Sequence, residues 1–213
     1  MKKIIIFILL LFSNYLYSQD TIKKSLIIKT ALLSWMDPFY PVIQVGCEYK
    51  INNKIGLQID FGSNFYIQDF GMKGRNLNNR QTVKIKSEFR YYPHGKQFYI
   101  GVEYFYLYSI FNEFNNKYKS LDGTWFNYNS ARISKSIHIP DFRIGIERGE
   151  KIYWDFYCGI GWRFGNVKYS NIENKTIIPE NPFIESFIPI NLNEGSFTTL
   201  HLNMGVKIGY KIF

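Results

Sequence analysis

Three histidines, two cysteines and a scattering of carboxylates are the side chains of this 213-residue sequence that could do covalent or acid–base chemistry. An acyl-transfer site needs a nucleophile beside a histidine that an acid orients. His138 has Ser136 two residues before it and Asp141 three after; His201 has Ser196 upstream; His94 sits in the turn Pro93-His94-Gly95-Lys96. Ser136 and His138 share one face of an extended chain, but on its apolar parity, and Pro140 disturbs the ladder there. No Gly-x-Ser-x-Gly and no phosphate loop occurs. Two cysteines cannot supply a four-ligand zinc site, and the sequence implies no metal or cofactor. Glu103, Asp141, Glu147 and Asp155 could be imagined as acid–base pairs, but a salt-bridged interior explains them with less. A lipid-modifying barrel enzyme of acyl hydrolase or transferase type, using a rim His with Ser, is therefore the alternative reading rather than the leading one.

The elements that would position these residues alternate with period two, as strands do. In Thr82–Tyr92, Val83, Ile85, Phe89 and Tyr91 point one way and Lys84, Lys86, Glu88, Arg90 and Tyr92 the other. In Gln97–Tyr108 the aromatic and aliphatic side chains oppose Gly101 and Glu103, and in Asp141–Glu147 Phe142, Ile144 and Ile146 oppose Asp141, Arg143, Gly145 and Glu147. Ile152–Phe164 sets Trp154, Phe156, Cys158, Ile160 and Trp162 against Asp155, Gly159, Gly161 and Arg163. Segments near Leu26–Ser34, Val42–Lys50, Ile55–Tyr66 and Leu200–Ile212 follow suit, which makes eight strands.

The polar face decides what these strands build. It carries Lys29, Lys84, Lys86, Arg90, Arg143, Arg163, Lys207 and Lys211 against Glu48, Asp60, Glu88, Glu103, Asp141, Glu147 and Asp155, eight positive charges and seven negative with glycines between. Buried charge is costly unless paired, so the near-cancellation is meaningful. The pattern predicts an all-β, eight-stranded antiparallel transmembrane β-barrel, closed, with apolar side chains toward lipid and a lumen filled by side chains rather than an open pore. A soluble lipocalin-like binder would need the reverse arrangement. The connections agree. Asn52-Asn53, Pro93–Lys96 and Arg148–Lys151 are short, whereas Trp35–Pro41, Ile67–Arg80, Phe111–Lys135 and Val167–Ser196 are long, and the two kinds alternate as periplasmic turns and external loops do. Tyr, Trp and Phe near the strand ends are expected to form interfacial girdles.

Composition fits once the faces are separated. Hydrophobic residues make up 46% and aromatics 19%, which excludes disorder, yet the interleaved charges hold the mean hydropathy at −0.18. Lys2 and Lys3, the apolar run Ile4–Phe12 and small Ser18 read as a signal peptide over residues 1–18 that leaves residues 19–213 as the barrel. The run is too short to span a bilayer as a helix. Loss of Lys2 and Lys3 lowers the formal charge from +9 to +7. Scattered Lys and Arg on barrel strands argue against a nucleic-acid partner. Cys47 and Cys158 fall on the outward parity of strands that are not neighbours, so two separate lipid-facing thiols are expected.

Over Lys29-Thr30-Ala31-Leu32-Leu33, Asp37-Pro38-Phe39 and Gln44-Val45-Gly46-Cys47-Glu48-Tyr49 the chain resembles a family of small outer-membrane proteins of unknown function that open with Lys-Thr-Asn-Leu-Leu. Ala31 stands where the family has Asn. The resemblance implies an eight-stranded barrel in the outer membrane of a Gram-negative-type cell and carries over no catalytic residue. The ending Tyr210-Lys211-Ile212-Phe213 resembles the aromatic signal that the outer-membrane insertion machinery reads, although the apolar residues here lie on the parity opposite to Phe213.

The external connections are where a functional role is expected, structural or interactive. Residues Ile67–Arg80 carry a net +2 that could meet lipopolysaccharide phosphates. Val167–Ser196 is apolar for a loop, with Ile178, Phe183 and Phe187 as its anchors. It either packs on Trp125, Phe126 and Tyr128 or presents a docking surface to a surface protein or glycan.

Overall fold

In a computed structural model, residues 24–34, 42–64, 77–93, 97–178 and 193–213 are described. The strands are β1 (Ser25–Ala31), β2 (Ile43–Lys50), β3 (Ile55–Ser63), β4 (Leu77–Tyr91), β5 (Phe98–Lys119), β6 (Trp125–Gly149), β7 (Ile152–Glu173), β8 (Thr176–Ile177) and β9 (Gly195–Lys211), with a 3-10 turn over Leu32–Ser34. All pairings are antiparallel. Each strand from β1 to β6 pairs with the next, β6 pairs with β7, β7 with β9, and β9 returns to β1, so the hydrogen bonds run in a ring. β8 is a two-residue addition to the far end of β6.

The alternation in the sequence maps directly onto the two faces of this ring. Lys29, Gln44, Glu48, Gln58, Asp60, Glu88, Arg90, Glu103, Asp141, Arg143, Glu147, Asp155 and Lys207 are buried inside it. Ile59, Phe61, Val102, Phe142, Ile160, Leu202 and Met204 lie outside, half to four-fifths exposed. Cys47 and Cys158 are free and exposed on β2 and β7, which are separated in the ring by β1 and β9. The chain is therefore expected to migrate identically on a gel with and without reductant; a band that shifts on reduction would contradict this placement.

Two long connections in the sequence reading turn out to be strand. Phe111–Lys135 was expected to be a loop, but β5 and β6 run on as a paired ladder from Phe111↔Ile133 to Lys119↔Trp125, leaving only Ser120–Thr124 between them. In that turn the Ser120 hydroxyl and the Thr124 N–H hold the Asp122 carboxyl below its usual range. Likewise Val167–Ser196 contains the rest of β7, then β8 and the start of β9. Asn115 (φ 53°) and Asn171 (φ 51°) explain the misreading. Asparagine tolerates the left-handed region; at Asn171 a bulge shifts the β6–β7 register, and at Asn115 the buried parity of β5 changes with the β5–β6 register kept. Tyr118 and Tyr128 gather with Tyr169, Phe111, Ile133 and Val167 in one apolar cluster, Tyr118 stacked on Tyr169 at 4.4 Å.

The strand ladder ends at Lys211. Ile212 and Phe213 are both exposed, and the Phe213 carbonyl accepts from Leu26 N–H. Ile212 donates its N–H to the Leu26 carbonyl and keeps the exposed parity of Tyr210, so the alternation is lost only at Phe213. The proposed signal segment, residues 1–18, lies outside the described residues.

Candidate functional site

The most developed constellation is the ion-pair filling of the ring. Its hub is Lys29 on β1, whose Nζ meets Glu48 on β2, Glu147 Oε1 on β6 at 2.6 Å and Asp155 Oδ2 on β7 at 3.0 Å. Arg90 on β4 enters the same knot, with Nη1 at 3.0 Å from Glu48 Oε2 and 2.8 Å from Asp155 Oδ2, while Nη2 donates to Glu88 Oε2 at 2.8 Å. β1 and β6 are not neighbours in the ring, so Lys29–Glu147 ties opposite walls across the interior. Charge removed from water at this depth persists only when every ion is paired. Lys50 completes the carboxylate Glu147, and Tyr92 Oη donates to Glu48 at 2.6 Å. Tyr99 Oη donates to Asp155 Oδ1 at 2.8 Å, and Arg90 lies over the Tyr99 ring at 4.2 Å.

A second knot sits further along the axis. Arg143 pairs with Glu103 and, at 3.5 Å, with Asp141. Lys207 Nζ is 2.7 Å from Asp60 Oδ2, which also accepts from Gln58 Nε2. Lys86 is 4.0 Å from Glu103. Lys84 is buried in the same layer. Arg163 is turned toward His201 Nδ1 at 2.9 Å rather than toward a carboxylate. Eleven of the twelve residues expected in the charge network thus lie in or beside it, and Arg163 joins through a histidine.

Sequence reasoning missed Lys50 and Tyr99. Lys50 shares the parity of Glu48 and was legible on that ground. Tyr99 was harder, because an aromatic on the charged face runs against the pattern. The signal for it is Gly145, its direct cross-strand partner. A Cβ at Gly145 would stand 2.5 Å from Tyr99 Cζ, so the tyrosine lies flat over the glycine. Gly205 seats Tyr157 in the same way.

The candidate catalytic pairs do not assemble. His138 is on the outer face, where its Nδ1 meets Tyr104 Oη at 2.6 Å. Asp141 is on the inner face, held by Asn203 and Arg143. The sheet itself separates them. His201 points inward, whereas Ser196 is exposed and accepts from Asn166 Nδ2 at 3.0 Å. His94 lies outside the described residues. Of the loop anchors, Ile178 donates its N–H to the Trp125 carbonyl at 3.0 Å, next to the β6–β8 pairs Phe126↔Ile177 and Asn127↔Thr176. The described part of the segment, Thr176–Ile178, thus lies along β6 beside Trp125 and Phe126. Phe183 and Phe187 lie outside the described residues, as do Asp69, Lys73 and Arg75.

No protein-family model matches this chain, and no curated protein sequence does. Among solved structures the crystal structure of Acinetobacter baumannii CarO is similar to it, with a TM-score of 0.41 and 8% sequence identity over 87% of this chain and 96% of that one.

Proposed function

We propose that this chain is an outer-membrane β-barrel, closed and filled by its own ion pairs, that works as a structural or interaction protein through the ends of its longer strands and connections. One observation carries the reading: the ring is apolar outside and charged inside. On β7 the outward residues run without a break from Ile152 through Trp154, Phe156, Cys158, Ile160 and Trp162 to Phe164, all of them exposed. Twelve residue steps at about 3.3 Å each, tilted by roughly 40°, give on the order of 30 Å, the height of a hydrocarbon layer. A surface of this kind demands an apolar medium. Trp154 stacked on Phe156 near one end, and Trp162 with Phe164 near the other, supply the aromatic borders. Lipid and lipopolysaccharide are the surroundings this implies, and the insertion machinery is the partner needed to reach them.

The test is the electrophoretic mobility of the membrane fraction before and after boiling in detergent. A barrel stays folded and compact until heated, so two positions are expected, the faster one in the unheated sample. A chain found in the soluble fraction with a single mobility would defeat the reading. Removing Thr176–Pro189 is expected to leave the heat-dependent shift intact, because its described residues, Thr176–Ile178, add only the two-residue β8 at the far end of β6. Loss of the shift in that variant would mean that the segment is part of the barrel wall.

A further inference from the structure

The charges at the short-turn end of the ring fall into two groups. Inside, the knot is self-contained: Glu48, Glu147 and Asp155 are each held by Lys29, Lys50 or Arg90. Around the rim the balance is different. Lys24, Lys54, Arg148 and Lys151 are exposed there and Lys211 is half-buried, and among the described residues the acidic side chain beside them is Glu150. With the carboxylate of Phe213 counted as well, five cations stand against two anions. Among the described residues none of the five enters an ion pair, whereas Lys29, Arg90, Arg143 and Lys207 in the lumen all do.

The backbone fixes where these cations stand. Asn52 Oδ1 accepts from the N–H groups of Lys54 and Ile55, both at 2.8 Å, which sets the first short turn. Arg148 Nε donates to Gln97 Oε1 at 3.1 Å and leaves the two terminal guanidinium nitrogens unused among the described residues. Lys211 N–H donates to the Lys151 carbonyl at 2.9 Å, and Leu26 N–H to the Phe213 carbonyl at 3.2 Å. Arg148, Lys151, Lys211 and Lys24 therefore follow one another along an arc from β6 to β1. This arc borders the apolar band, because Arg148 is directly opposite Trp154 and Ile152 is opposite Tyr210. Trp154, Tyr210, Tyr91 and Phe98 are exposed aromatic side chains at this end. Aromatic rings of this kind sit where acyl chains give way to headgroups, and Lys or Arg just beyond them keeps its stem on apolar surface and its charge among polar groups. A surplus of unpaired cations at that level is complementary to phosphate.

We propose that this rim binds the headgroups of anionic phospholipid. Arg148, Lys151, Lys211 and Lys24 meet the phosphates, and Trp154 and Tyr210 lie at the acyl-chain border. The assignment rests on the barrel reading, which puts a bilayer around the ring. It goes beyond that reading by giving one end of the ring a lipid class.

The experiment uses the chain purified from the membrane fraction, checked for its heat-dependent mobility and placed in phosphatidylcholine vesicles. Trace spin-labelled phosphatidylglycerol or spin-labelled phosphatidylcholine is added, and the immobilised share of each label gives its association with the protein. Phosphatidylglycerol is expected to associate roughly threefold more strongly, an average over all lipids around the ring and so below the about fivefold of one Lys or Arg at a single site. The preference is expected to shrink in about 1 M salt, where charges are screened beyond about 3 Å. Lys24→Gln with Lys151→Gln is expected to remove about half of it, and adding Arg148→Gln and Lys211→Gln to abolish it. Arg132→Gln with Lys168→Gln, exposed cations of β6 and β7 toward the other end, is expected to leave it unchanged. Equal association of the two lipids with the unaltered chain, or a preference indifferent to salt, would overturn the proposal. So would a full preference in the two-charge rim variant, which stands in if the four-charge variant does not fold, or an equal loss in the Arg132 and Lys168 variant. No lipid preference with the heat shift intact counts against the rim alone. Loss of the heat shift with the preference intact counts against the barrel alone.

Discussion

Lys29→Met is expected to destabilise the folded ring by about 3–5 kcal/mol, the range found when one partner of a buried ion cluster is removed. The substitution keeps the length of the side chain and takes away one charge. Glu48, Glu147 and Asp155 then lose a shared cation that now stands within 3.0 Å of the last two. The Lys29 and Glu48 side chains are fully buried and those of Glu147 and Asp155 nearly so, so water cannot replace the cation without opening the interior. Arg90 still touches Glu48 and Asp155, but Glu147 keeps only Lys50 and the hydroxyl of Tyr92. The measurement is the urea midpoint of unfolding in detergent micelles, read from the folded gel band. A loss below about 1 kcal/mol, the ordinary value of an exposed pair, would show that Lys29 is solvated and the knot is not structural. Adding Glu147→Gln to Lys29→Met is expected to restore part of the loss, because it removes the carboxylate with the fewest remaining cations. A double variant as unstable as the sum of the two singles would deny the coupling.

Gly145→Ala is expected to cost about 1–3 kcal/mol, the usual penalty for an extra methyl in a packed interior. The mechanism is specific. The new Cβ would fall within 2.6 Å of Tyr99 Cε1, Cζ and Oη, so the ring must leave its seat. Moving it breaks the hydrogen bond to Asp155 and uncovers the face on which Arg90 rests. Tyr99→Ala alone is expected to be destabilising as well, but in its background Gly145→Ala should cost nearly nothing. A thermal midpoint for the double variant well below that of Tyr99→Ala would mean that Gly145 is needed for backbone reasons instead. The same test applies to Gly205 and Tyr157, which are also direct cross-strand partners.

Much of this fold was legible because a sheet with two dissimilar faces writes itself in alternate residues. β1 to β4, the first halves of β5 and β7, the second half of β6 and the body of β9 all obey that rule, and so their inward charges could be named one by one. The alternation fails at Asn115 and Asn171, where the backbone turns left-handed, and past Asn115 the buried parity of β5 changes from odd to even. Tyr118 and Tyr128 are buried on even numbers, whereas Phe111, Ile133 and Val167 in the same cluster are buried on odd ones. Which charge meets which was not legible at all. Lys29 and Glu147 stand 118 positions apart, and only the closure of the ring and the stagger of its strands bring them together. Ser136 and His138 fall on even positions and Asp141 on an odd one, and the structure keeps the histidine outside the ring and the acid inside it, as that parity expects.

The seam of the ring joins the first strand to the last, Ile27 to Lys211, and each brings a cation that the rest of the wall needs: Lys29 from β1 and Lys207 from β9. A chain with β2 to β7 assembled but its seam open would hold Glu48, Asp60, Glu147 and Asp155 short of their partners. Segments that lack either end of the polypeptide therefore gain little by closing on themselves, and the seam acts as an electrostatic latch that engages only when β1 and β9 meet.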